Sequence, residues 1–164
     1  MKAALLCTFP LLLAIATAAQ TLPGTAGETL SGKRIVVAQA TPGHPTILVA
    51  AFSHDAGQRC EHWMHAIQRD PALAGVPAYQ LVELEKVPEL LRGALRNLMR
   101  KNVDPAEHDR FIVLTQDEKL WRTYFNVTAD QDPYVILLDS NGKVQWSGHG
   151  SARELEPKLR ASAH

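Results

Sequence analysis

Asp132-Pro133-Tyr134-Val135-Ile136-Leu137-Leu138-Asp139-Ser140-Asn141-Gly142-Lys143-Val144-Gln145-Trp146 decides the architecture. The apolar run from Tyr134 to Leu138 has the length and composition of a strand covered on both faces. Asn141-Gly142 is a tight-turn signal, because both residues accept the positive φ that a hairpin turn demands. Lys143 to Trp146 returns as a second strand. The stretch therefore predicts a hairpin, Tyr134 to Asp139 with Lys143 to Trp146, entered through Pro133.

Upstream of this hairpin, strand-length apolar runs alternate with helical patterns. Arg34 to Val37 suits a short edge strand, Thr46 to Phe52 a central one, and Tyr79 to Leu84 and Phe111 to Leu114 two more. Cys60, Trp63, Met64 and Ile67 recur at helical spacing within Gly57 to Gln68, and Asp70-Pro71 ends that helix. Pro88 opens a second helix, Glu89 to Lys101, with Leu90, Leu91, Ala94, Leu95, Leu98 and Met99 on its apolar side. Asp117 to Phe125 predicts a short helix, and Ala152 to Arg160 a final one that Pro157 should divide into two pieces. Such alternation makes an α/β fold with a mixed central sheet flanked by helices.

The amino-terminal residues indicate a compartment. Lys2 precedes an apolar run from Ala3 to Ala16, and small residues follow at Ala16-Thr17-Ala18-Ala19. This is the pattern of a secretory signal peptide over residues 1–19. Thr8 and Pro10 interrupt the run, which argues against a membrane span. The expected location is periplasmic or secreted after cleavage. Residues 20–33, rich in Gly, Thr and Ser, read as a flexible lead-in to a single domain over 34–164. Seventeen Lys and Arg balance seventeen Asp and Glu, so the basic excess that drives nonspecific nucleic-acid binding is missing. Cys7 lies in the signal, which leaves Cys60 as the single cysteine and excludes an internal disulfide.

Cys60 is the candidate catalytic residue. His54, His62 and His65 surround it in sequence, with His149 beyond the hairpin, and imidazole with thiolate suits copper or zinc. A helix with Cys60 and Met64 on one face does not readily present all of these together, so no metal ligands and no cofactor are assigned. Arg92, Arg96 and Arg100 repeat every four residues with Lys101 beside them. They form a basic ridge, read either as a solvated face or as a docking surface for an acidic partner or an anionic membrane.

The order of strand, turn and strand after Pro133 resembles the closing hairpin of the thioredoxin-like superfamily, which implies a three-layer sandwich. In its redox members a Cys-x-x-Cys starts five residues beyond an aromatic at the end of the first strand. Counting from Phe52 gives Gly57-Gln58-Arg59-Cys60, which keeps only the trailing cysteine. Gly57 and Pro133 are then vestigial active-site positions, and the resemblance implies that the Asp132-Pro133 bond is cis and lies near Cys60. A peroxiredoxin alignment also reaches Cys60, but Ser53, Gly57 and Pro133 stand where that family supports its thiolate.

The segment Tyr134 to Asp139, Gly142 to Trp146, Ser147-Gly148 and Ala152 to Leu159 is similar to the mitochondrial ATP synthase assembly-chaperone family and its bacterial relatives. His108-Asp109-Arg110-Phe111 and the helix Arg92 to Lys101 add to that likeness. It implies a non-redox assembly role, although a mitochondrial client does not transfer to a chain with a secretory signal. The leading expectation is an envelope protein that binds or assembles other proteins, with peripheral membrane contact open. The alternatives are a monothiol oxidoreductase or peroxidase-like enzyme acting through Cys60 with a partner thiol, and a copper or zinc carrier.

Overall fold

A computed structural model describes residues 21–163 apart from Pro42. The expected signal peptide, with Cys7, lies outside the described residues. Seven strands form one sheet in the order β2-β1-β5-β4-β3-β6-β7. They are β1 (Ala26–Thr29), β2 (Arg34–Val36), β3 (Thr46–Ala51), β4 (Ala78–Glu83), β5 (Phe111–Leu114), β6 (Tyr134–Leu138) and β7 (Val144–His149). The helices are α1 (Val37–Ala40), α2 (His54–Arg69), α3 (Glu89–Asn102), α4 (Glu118–Tyr124) and α5 (Ala152–Ser162).

β3 runs parallel to β4, and β4 parallel to β5, while β6 pairs antiparallel to β3 through Leu48 with Ile136. Every residue of β3, β5 and β6 is buried, as their unbroken apolar runs require. One face packs Cys60, Trp63 and Ile67 of α2 and Leu159 of α5 on Val49, Val82 and Val135, with Leu95 and Met99 of α3 at the margin. The opposite face packs Trp121 and Tyr124 of α4 on Leu48, Leu81 and Ile136. The result is the expected three-layer α/β sandwich.

The predicted hairpin closes through Asp139 to Gly142. Gly142 N–H donates to the Asp139 carbonyl at 3.0 Å, and Gly142 has φ +77°. The Asp139 carboxylate accepts the backbone N–H groups of Asn141 and Lys143 at 2.8 and 2.9 Å. Those bonds hold its pKa below the usual carboxylate value.

Three expectations change. The lead-in contains β1, which lies between β2 and β5, and Thr25, Thr29 and Leu30 in and beside it are buried, so backbone pairing overrides its weak composition. Residues after Val36 form the short α1 before the Thr41 turn. Pro157 sits inside a continuous α5, which Leu159 anchors to the core; tertiary packing outweighs one missing N–H bond.

Candidate functional site

The carboxyl ends of β3 and β4 meet the first turn of α2, the end of a parallel sheet where α/β proteins place their sites. Ser53 caps α2, its hydroxyl accepting the Ala56 N–H at 3.1 Å. Gly57 follows in the first turns, with nothing within 4 Å of where a Cβ would stand. Cys60 lies six residues inside the helix start and is 0% exposed among Trp63, Val49 and Leu137. Burial, reinforced by the Glu61 carboxylate, pushes its thiol up to about 12. The stabilising field of a helix N-terminus fades within the first turn, so it does not offset that desolvation. Cys60 is the only free cysteine among the described residues.

The loop before β6 docks beside this helix. Arg59, next to Cys60, donates to the Gln131 carbonyl at 3.3 Å and stands 3.5 Å from the Asp132 carboxylate. His149 Nδ1 is 2.8 Å from Asp132 Oδ2, and its ring stacks on Tyr134 with centroids 5.0 Å apart. The Tyr134 hydroxyl accepts the N–H groups of Thr128 and Ala129 at 2.7 and 2.8 Å. Trp63 Nε1 donates to the Gly150 carbonyl at 2.8 Å, and Gly150 N–H to that of Pro133 at 3.0 Å. These bonds link Pro133 through Gly150 to Trp63 of α2, but the Asp132-Pro133 bond is trans and not cis as the resemblance implied, for the described residues contain no cis peptide. A turn closed by Asp132 N–H on the Ala129 carbonyl delivers the chain to β6. The trans isomer, favoured even before proline, suffices there.

The basic ridge of α3 turns inward. Arg92 donates to the carbonyls of Val87 and Glu85 at 2.8 and 2.7 Å, Arg96 pairs with Glu28 of β1 at 2.9 Å, and Arg100 donates to the Leu30 carbonyl at 2.5 Å. Arg96 and Arg100 tie α3 to β1 and the residue that follows it, and Arg92 bonds the loop that leads into α3, so the three guanidinium groups are engaged within the fold rather than set out as the docking ridge read from the sequence. Lys101 alone of the four remains exposed without such a bond. The side of α3 that faces outward is apolar: Leu90, Leu91 and Leu98 are 95%, 56% and 53% exposed. Leu98 was legible only as part of a stripe assumed to be core.

Between α2 and α3 lies a groove of about 380 Å³, walled by Phe52, Gly57, Val82, Leu95, Leu98 and Met99. Glu61 and Glu83 line it as well. Burial raises the Glu83 carboxyl to about 7, partly offset by the Glu85 N–H that it accepts at 2.5 Å and reinforced by Glu118. Lys86 also lines the groove but holds Glu118 at 2.8 Å. No group of three or more His, Cys, Asp and Glu among the described residues could hold a metal ion. No helix among them is long and apolar enough to cross a membrane.

The sequence signature of the ATP10 protein family matches residues 13–162. The chain belongs to the ATP10 family. No curated protein sequence matches it significantly. Among solved structures it resembles a DsbE-type thiol:disulfide interchange protein from Chlorobium tepidum, with 18% identity and a TM-score of 0.60 over 89% of this chain and 97% of that one. BsSco, of the Sco family of cytochrome c oxidase assembly proteins, matches with 10% identity and a TM-score of 0.59 over 89% and 95%. The exposed lipoprotein thioredoxin Etrx1 of Streptococcus pneumoniae matches with 16% identity and a TM-score of 0.58 over 84% and 96%. At these identities the structural likeness establishes the thioredoxin-like fold.

Proposed function

We propose that this ATP10-family chain is a non-redox assembly factor that binds other proteins in the cell envelope. The observation that carries the reading is the state of Cys60. A thiol that attacks a disulfide must be accessible and ionised, and Cys60 is neither, while Gly57 occupies the position of a leading cysteine. The family match supports an assembly role, since ATP10 proteins and the Sco relatives share it with this fold. Lys2 and the apolar run to Ala16, followed by small residues, support export to the envelope. Complementation of a deletion strain with Cys60→Ala tests the reading. Retained function is expected, whereas full loss with a folded variant assigns the chemistry to the thiol.

A further inference from the structure

Resting on that assembly reading, we propose that the groove between α2 and α3 docks a client segment carrying apolar side chains together with a lysine or arginine. Leu98, one of the outward leucines of α3, is part of its apolar wall, so the groove opens onto that exposed apolar side. None of the residues of α3 is fully buried: Leu95 and Met99 reach only the margin of the core, and Arg96 and Arg100 add bonds to Glu28 and the Leu30 carbonyl. The space beneath it continues along α2. Glu61, Gln80, Asn102, Val103 and Phe111 border both the outer groove and a second section of about 300 Å³.

The charge within this surface selects the occupant. Glu61 and Glu83 line the outer section, and the ammonium of Lys86 is held by Glu118. Asp104 and Glu107 line the second section against a single arginine, Arg110, and the Glu107 Oε2 atom is buried there without a hydrogen-bond partner. A carboxylate desolvated by apolar walls is stabilised by a cation brought in with the ligand, whereas an acidic or purely apolar segment leaves it uncompensated. A basic apolar segment covers Leu98 and neutralises the carboxylates in one act.

Glu83 adds a pH signature. It faces Glu61 and His54 of α2, Glu85 and Lys86 of the following loop, Glu118 of α4, and Arg92 of α3 through the Glu85 carbonyl. Its carboxylate form predominates only above about 7, so a cationic ligand binds more tightly as pH rises from 6 to 8. Glu83→Gln isolates the contribution of this carboxyl to the pH dependence.

The test uses the exported protein and two fluorescent peptides of equal length and apolar content, one with lysines and one with glutamates at the polar positions. Anisotropy titration is expected to show at least tenfold tighter binding of the lysine peptide. Glu61→Gln with Glu83→Gln should remove most of that preference, and Leu98→Ser, at an exposed position, should weaken the lysine peptide several-fold while circular dichroism stays unchanged. Equal binding of both peptides, or variants that bind like wild type, overturns the proposal. So does self-association abolished by Leu98→Ser without peptide binding, which seats a second copy in the groove. Binding with these properties alongside loss of function in Cys60→Ala would overturn the non-redox reading while leaving the docking site standing. Complementation by Cys60→Ala without peptide preference would do the reverse.

Discussion

Cys60 and Gly57 differ by one turn of helix, and that turn separates a reactive position from an inert one. At Cys60 the desolvation cost of a thiolate dominates, so iodoacetamide should modify the native protein far more slowly than its urea-unfolded chain, from pH 7 to 9. Gly57 is half-buried with free space at its Cβ. A Gly57→Cys variant is expected to be alkylated quickly at residue 57, with Cys60 still protected, as peptide mapping would show. Rapid labelling of Cys60 in the wild-type protein would contradict its burial. Cys60→Ala should cost about 1 kcal/mol in urea unfolding, since it removes one small packed group, and Cys60→Ser more, by placing a hydroxyl among apolar neighbours.

At the level of elements, β4 and α3 carry much of the wall of the groove. Glu83 closes β4 with a carboxyl raised from 4.5 to about 7. The native state therefore binds the extra proton between those values, and the associated stability is present below about 4.5 and lost as pH rises through about 7. Half-exposure screens the effect to on the order of 1 kcal/mol. Urea unfolding at pH 5 and pH 8 should show that difference in the wild type and a smaller one in Glu83→Gln. α3 depends on its arginines: Arg100→Ala removes a charged donor from the Leu30 carbonyl and should cost about 1–2 kcal/mol. Hydrogen exchange should quicken in α3 while β3 and β6 remain protected.

These same elements mark what the sequence could and could not convey. β3 and β6 were legible because a strand buried on both faces must be apolar throughout. The inward turn of Arg96 and Arg100 was not, since periodicity locates a stripe on a helix but not the Glu28 carboxylate and the Leu30 carbonyl that wait for it across the fold. Cys60 was legible as one of the apolar residues recurring along α2 with Trp63, Met64 and Ile67. The groove was not, because it arises from how far α3 stands off the sheet.

For the whole molecule, the decisive question is whether the sheet needs its amino-terminal hairpin. β1 pairs with β2 through Gly27 and Ile35, and with β5 through Glu28 and Val113, so β2 reaches the sheet only by way of β1. The composition of residues 26–29 hides this role: Gly27 looks like a breaker, yet a Cβ there would fall 2.5 Å from Ile112 and 3.1 Å from the Val113 carbonyl. Glycine is what lets the two backbones approach. Leu22 and Leu30 add buried side chains on opposite faces of the sheet, and loss of one buried leucine alone costs about 2–5 kcal/mol. A chain that begins at residue 34 also leaves β5 with an open, apolar edge, a template for aggregation. Removal of residues 20–33 should therefore abolish cooperative unfolding and yield soluble aggregates on size exclusion. Gly27→Val should lower Tm sharply while remaining monomeric, because it strains the pairing without removing it. A truncated protein with wild-type Tm would mean that β1 and β2 are an appendage and that the five strands β3 to β7 fold alone.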